Sequence, residues 1–359
     1  MGIQQNGVAF VQPLLSLQYL RAIAASLVLL LHLDQHRLVY GVFGVDIFFV
    51  ISGFIMWVTT YGAEPTPPNF FLRRFLRIAP LYWSITLFSA FVSFSPDFGI
   101  GLSASPRWLM QSLFFIAGDG QARALGLAYA FPYPILGVGW TLNLEMMFYA
   151  LFTLALFFKP ATRLAIVVVA LGLLVGAGLF IDEDAGIALH FYTGSISIEF
   201  VFGVILGSLY TFSREKHIEW NAPLAGTALI LIGFILAPLT IDLLNIRGFV
   251  YGPLALMICA GALLLEPLLR KRPSRIFKLL GDASYSLYLT HWPVLAAARK
   301  ILPAEMFGNQ QWLRLLVLMM ICLGVAVAAF KFYELPLTKA LTRVFFPKKT
   351  RAAAPQAAP

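Results

Sequence analysis

The sequence predicts an all-α, polytopic membrane protein, and three observations carry that prediction. The 359 residues are 60% hydrophobic and only 12% charged, about half the charged share of a soluble domain. The apolar residues come in runs of about 20, the length of helix that crosses a bilayer core. Short polar or basic stretches separate the runs. Inside lipid each run must satisfy its own backbone hydrogen bonds, and a single segment does that only as a helix.

The candidate spans are 14–33, 42–60, 78–96, 140–158, 164–181, 194–212, 222–243, 248–266, 277–300 and 312–333. Residues 107–117 are apolar but short, and 123–138 is interrupted by Pro132 and Pro134. These two are expected to be re-entrant or interfacial segments. Charge sets the orientation. Arg73, Arg74 and Arg77 follow the second span, Lys159 and Arg163 the fourth, and Arg214 and Lys216 the sixth. A run from Arg270 to Lys278 follows the eighth, and Lys339, Arg343, Lys348, Lys349 and Arg351 follow the last. All five clusters fall on one side if 97–139 begins and ends on the other, and the positive-inside rule makes that side the cytoplasm. The expectation is ten transmembrane helices with both termini cytoplasmic. Residues 97–139 then form the longest external segment, a candidate lid or substrate platform. The short external loop at Ile181 is acidic, with Asp182, Glu183 and Asp184. Residues 1–345 read as one membrane domain, and 346–359, rich in Lys, Ala and Pro, as a disordered tail.

The net charge of +9 does not point to nucleic acid, because the basic residues sit in the short loops where they fix orientation. Cys259 and Cys322 lie inside apolar runs and read as packing residues, not a disulfide or metal pair. No metal site is expected. The first span lacks the basic flank and cleavage site of a signal peptide and reads as a retained helix.

The first span carries Arg21 and His32, eleven residues apart. That is about three helical turns, so both share a face roughly 16 Å apart. Ionisable side chains are costly in lipid and should turn into the protein, one near each end of the span. The plain alternative is a snorkelling arginine and an interfacial histidine. In the second span Asp46 is an acid in an apolar run, near the same outer end as His32. A carboxylate beside an imidazole would fix its tautomer and raise its basicity; a cap or a structural ion pair is the other reading. Gly44 and Gly53 read as close helix contacts.

On the third helix Arg73, Arg74 and Arg77 stand three and four apart and can converge, and arginine forks suit phosphate groups. Anchoring to anionic headgroups is the alternative. In the fourth span Thr141 and Glu145 share a face. Glu145 is a second candidate acid or base, placed near the outer side, and Trp140 is either an interfacial belt residue or a sugar-stacking platform. Glu199 is an intramembrane acid without a motif. In the ninth span Ser284, Tyr288 and His291 form one polar stripe, with His291 about mid-membrane and a kink expected at Pro293. Ser284 lacks the glycine pattern of a nucleophile elbow. Glu334 closes the last span.

These elements together resemble the membrane-bound acyltransferase family 3, over about Leu17 to Pro336. The resemblance rests on the Arg21 and His32 pair, on Gly44 through Phe54, and on the Arg-x-x-Arg at Arg74 and Arg77. It rests also on Trp140-Thr-Leu-x-x-Glu145, on Gly281-x-x-Ser-Tyr-x-x-Tyr-Leu-x-His-x-Pro293, and on Glu334-x-Pro336. Leu17-Gln-Tyr-Leu-Arg21 looks more like the ExoZ-type exopolysaccharide branch than the commoner Leu-Asp-Gly-Leu-Arg start. No segment here is long enough for the external SGNH hydrolase-like domain that some members carry.

The resemblance implies a bacterial inner-membrane O-acyltransferase. It would move an acyl group, most simply acetyl, from cytoplasmic acyl-CoA to a hydroxyl of a surface polysaccharide or lipid-linked glycan. Arg73, Arg74, Arg77, Tyr288 and His291 would then contact the donor, and Trp140 and Thr141 the acceptor. His32, helped by Asp46 or Glu145, with Arg21 along the route, would either deprotonate the acceptor or carry the acyl group. The competing function is a transporter or flippase for a lipid-linked saccharide, with Asp46, Glu145, Glu199 and His291 as proton or substrate sites. Against it, the sequence has no inverted repeat and no paired broken helices.

Overall fold

The computed structural model describes residues 14–34, 39–63, 65–93, 105–125, 131–181, 186–240 and 246–347. Among them the chain is helical, without a strand. The acidic loop 182–184 and the tail beyond 347 lie outside the described residues.

The first helix, α1 (Leu15–Leu33), starts on a borrowed cap. Its Leu15 and Ser16 backbone N–H groups donate to the Glu266 carboxylate, at 3.1 and 2.7 Å. A negative side chain at a helix start both fills orphan donors and suits the dipole. Helix α2 (Phe43–Thr60) follows a short 3-10 turn, and α3 (Pro67–Ser93) runs through Pro80. Two short helices come next, α4 (Pro106–Leu113) and α5 (Gly120–Leu125). Ser105 caps α4 by accepting from the Trp108 N–H at 3.2 Å, with Pro106 at the first position, where its missing N–H costs nothing.

The stretch 131–136 is not helical, as its two prolines dictate. It is tied to α4 by the Trp108 indole donating to the Tyr133 carbonyl at 2.9 Å and by the Ile135 N–H donating to Ser112 Oγ at 2.9 Å. Tyr82 and Trp83 on α3 donate to the carbonyls of Ser112 and Leu113, at 3.1 and 2.7 Å. These bonds satisfy backbone that a loop of this apolarity would otherwise bury unpaired. Arg123 and Arg107 pair with Asp119. The Arg123 hydrogen bond above all holds the Asp119 carboxyl below the usual carboxylate range.

The remaining helices are α6 (Trp140–Ala155), α7 (Pro160–Gly178), α8 (Ile187–Tyr192), α9 (Glu199–Glu215), α10 (Pro223–Leu239) and α11 (Arg247–Lys271). They are followed by α12 (Arg275–Asp282), α13 (Ser284–Ile301), α14 (Gln311–Ala329) and, after a π turn at Phe330–Glu334, α15 (Leu335–Phe345). Seven helical stretches among the described residues are long and apolar enough to cross a membrane. Helices stand at all ten expected spans, but three miss that criterion. Helices α6 and α10 have 16 and 17 residues, short of the about 20 that a perpendicular crossing needs. The stretch 277–300 is two helices that meet at Ala283. The interruption falls at Ala283, and α13 continues through Pro293.

Helix α2 is the central element. A Cβ on Gly53 would run into the Phe200 carbonyl of α9, and one on Gly203 into the Val50 carbonyl of α2. Glycine at both positions lets the two backbones touch, the small-residue contact that replaces a hydrophobic driving force inside lipid. Phe200 also stacks on Phe148 of α6, with centroids 4.4 Å apart, and lies 4.6 Å from Phe49 of α2. The three helices thereby share one aromatic centre.

Candidate functional site

Two cavities lie along α2. The smaller, of about 100 Å³, is lined by Arg21, Arg74, Arg77, Glu145, Tyr149 and Ser284 among others. The larger, of about 700 Å³, holds His32, Arg247 and a ring of aromatics that includes Trp108, Tyr133, Trp140 and Trp292. Val45 and Tyr288 line both.

The arginine cavity collects three guanidinium groups against one carboxylate. Glu145 accepts from Ser52 Oγ at 2.9 Å and from the Tyr149 hydroxyl. Arg74 donates to Thr59 Oγ1 at 3.0 Å, and Arg21 to Gln18 at 3.3 Å. Positive charge exceeds negative among these lining residues, a field that suits an anion. Ser284 adds a buried hydroxyl without a hydrogen-bond partner. Of the three arginines expected to converge, Arg73 does not. It faces out, with its guanidinium 3.8 Å from the Phe346 ring centre. Around α3, Arg77 lies between the other two, and Arg73 and Arg74 are about 100° apart; the cavity takes Arg74's side, and Arg73 falls on the exposed side. Glu145 also departs from the expectation: it sits with the arginines and not beside His32.

The aromatic cavity is lined by His32, which pairs with His291 behind it. His32 Nδ1 lies 2.8 Å from the Val28 carbonyl and 3.2 Å from His291 Nε2. His291 Nδ1 lies 3.0 Å from the Leu287 carbonyl. A carbonyl only accepts, so each Nδ1 carries the proton, and His291 Nε2 accepts from His32. This fixes His32 as the tautomer whose Nε2 is unprotonated. Among the described residues no hydrogen bond to that nitrogen is made, and His32 lines the cavity. Trp292 meets the His32 ring edge-on at 5.1 Å, and Arg299 donates to the His32 carbonyl. His291 therefore lies level with His32, near the C-terminal end of α1. Trp140 packs edge-to-face on Phe131 at 5.5 Å. Described parts of the segment 97–139, Trp108, Gln121, 131–135, Gly137 and Val138, form much of this cavity's wall.

Asp46 does not contact His32. It is fully buried and takes a bidentate pair from Arg247, whose Nε and Nη2 reach its two oxygens at 2.8 Å each. Arg247 Nη2 also donates to the Val42 carbonyl at 2.9 Å. Glu199, equally buried, lies beside Asp46. Sequence reasoning missed Arg247. The available signal was a lone arginine opening the eighth span on the side that the positive-inside rule leaves poor in cations, where it needs a buried acid as partner. It also missed His291 as the partner of His32, although the polar stripe of α13 carried it.

Tyr288 stands between the cavities. Its hydroxyl donates to the Val138 carbonyl at 2.9 Å and lies 2.8 Å from Thr141 Oγ1, which is itself 3.2 Å from the same carbonyl. Its ring is 6.1 Å from both Phe48 and His291. Among the described residues no group of three or more His, Cys, Asp or Glu stands ready to hold a metal ion.

A family model described as an acyltransferase domain matches residues 14–331. The exopolysaccharide production protein ExoZ of Rhizobium meliloti is 34% identical over 310 residues, covering 85% of this chain and 92% of ExoZ. BcsY of Komagataeibacter xylinus is 28% identical over 80% of this chain and 75% of its own length. The peptidoglycan O-acetyltransferase OatA of Listeria monocytogenes is 25% identical over 90% of this chain but only 56% of OatA. No solved structure matches the chain.

Proposed function

We infer the activity from the premise that this chain belongs to the acyltransferase family, as a multi-pass membrane acyltransferase, and we propose that it O-acetylates a glycan across the membrane. The donor is acetyl-CoA at the cytoplasmic face, held through its anionic groups by Arg74 and Arg77 with Arg21. The acceptor is a hydroxyl of a surface polysaccharide or lipid-linked glycan seated among the aromatics of the larger cavity. Ten spans with cytoplasmic termini, in a bacterial inner membrane, complete the reading. The names of the relatives support a glycan acceptor: one refers to exopolysaccharide production, another to peptidoglycan O-acetylation.

One observation carries the proposal. A base with a free nitrogen, His32 Nε2, lies in an aromatic cavity that shares a wall with an arginine-lined one. Aromatic faces suit sugar rings, and arginine forks suit phosphates. His32 Nε2 takes the proton of the acceptor hydroxyl as its oxygen bonds to the acyl carbon. The carbon–sulfur bond then breaks, and the thiolate leaves with the proton returned from His32. The Val28 carbonyl holds the imidazole in this tautomer, with His291 beside it. The same free nitrogen serves if the acyl group first rests on the histidine.

Mass spectrometry of surface glycans from the native host, with and without the gene, tests this. Loss of an acetyl-sized mass that the wild-type gene restores and His32→Ala does not is the expected result. Unchanged glycan masses, with an unexported lipid-linked intermediate accumulating, would instead favour a transporter.

A further inference from the structure

The transfer just described develops negative charge on the acyl carbonyl oxygen, and neither histidine is placed to neutralise it. The reacting carbon must lie where a donor anchored in the arginine cavity comes within reach of His32 in the other. Of all the lining residues only Val45 and Tyr288 border both cavities, and of these only Tyr288 carries a hydrogen-bond donor. Arg21 and Ser284 line the arginine cavity alone. Arg247 is held by Asp46 and the Val42 carbonyl.

We propose that the Tyr288 hydroxyl is the oxyanion donor of the transfer, freed for that task by Thr141. The proposal rests on the acyl-transfer reading above. Its physical basis is a redundancy. The Val138 carbonyl has two hydroxyl partners, Tyr288 Oη at 2.9 Å and Thr141 Oγ1 at 3.2 Å, and the two hydroxyls are 2.8 Å from each other. Rotating one O–H bond leaves Thr141 to satisfy the carbonyl while Tyr288 turns its proton to the ligand. No heavy atom moves and no buried acceptor is left unpaired, so little reorganisation accompanies the step, as electrostatic catalysis requires. The ring itself is fixed by its contacts with Phe48 and His291. As the acceptor oxygen bonds to the acyl carbon, the carbonyl oxygen becomes the oxyanion and accepts from Tyr288. When the carbon–sulfur bond breaks, the carbonyl reforms and the bond weakens.

The test uses purified full-length protein in detergent micelles, with acetyl-CoA as donor and release of free CoA as readout, in the presence of glycan from a host lacking the gene. Tyr288→Phe keeps the ring and removes the hydroxyl. Its kcat should fall about 10²–10³-fold, as for loss of one oxyanion donor, while the KM for acetyl-CoA moves less than about threefold and the melting temperature stays close to that of the wild type. Thr141→Val leaves the carbonyl with Tyr288 alone, locks that hydroxyl, and should also lower kcat. Thr141→Ser, which keeps the second hydroxyl, should restore it. A Tyr288→Phe variant with kcat within about threefold of wild type would overturn the proposal, as would a loss expressed wholly in KM. Wild-type protein that leaves acetyl-CoA intact would overturn the acyl-transfer reading itself.

Discussion

Removing Arg247 should destabilise the fold by about 3–5 kcal/mol, the cost of breaking a buried ion pair from one side. Asp46 has no exposed surface, and its two oxygens take charged hydrogen bonds from Arg247 at 2.8 Å each. Bonds of this kind contribute about 1.5–3 kcal/mol apiece, so the pairwise sum agrees with the whole-pair figure. In Arg247→Met the side-chain volume is roughly kept, but two carboxyl groups, Asp46 and Glu199, are buried together without their cation. The double variant Arg247→Met, Asp46→Asn removes the stranded charge and should recover about half of the loss or more. Reversible unfolding in mixed detergent micelles, followed by tryptophan fluorescence, reads both. A single variant that loses under about 1 kcal/mol, or a double variant no more stable than the single, would refute the reasoning.

Asp46 also shows how far the sequence carries. That it is buried and needs a partner follows from its place in an apolar run. Which partner it takes does not, because two donors compete: His32 lies near in sequence, whereas Arg247 is 201 residues away. A guanidinium matches both carboxylate oxygens at once and an imidazole only one, and the bidentate pair forms. The same holds for His32 and His291, 259 residues apart, which meet only because α13 packs on α1. Helix positions were readable because apolar runs and basic loops are local features. Glu145 was misplaced because its depth was inferred from its distance to a helix end. Arginine side chains are long enough to join residues a turn apart in depth into one cavity. Spacing lets Arg73, Arg74 and Arg77 converge, but the cavity opens on Arg74's side of Arg77, which spacing alone does not tell.

Three more outcomes follow from contacts already described. Arg74→Ala and Arg77→Ala should each raise the KM for acetyl-CoA about tenfold or more, as expected for lost charged hydrogen bonds, whereas Arg73→Ala should stay within about twofold; equal effects at all three would remove the arginine cavity as the donor site. Glu266→Ala strips the cap from α1 and should cost about 0.5–2 kcal/mol, read by unfolding in micelles. Gly203→Ala pushes a Cβ into the Val50 carbonyl and should cost about 1–3 kcal/mol by overpacking, while Gly324→Ala, where a Cβ meets nothing, should be close to neutral.

The most direct test of the central claim is transfer of radiolabelled acetyl from acetyl-CoA to glycan by the purified protein reconstituted in proteoliposomes. The glycan would come from a host lacking the gene, and wild type would be run beside His32→Ala. If His32 Nε2 takes the proton of the acceptor hydroxyl, label enters the glycan fraction with wild type, and His32→Ala lowers the rate about 10²–10⁴-fold, the range for loss of a general base. Label transferred at the wild-type rate by a well-folded His32→Ala protein would contradict the account.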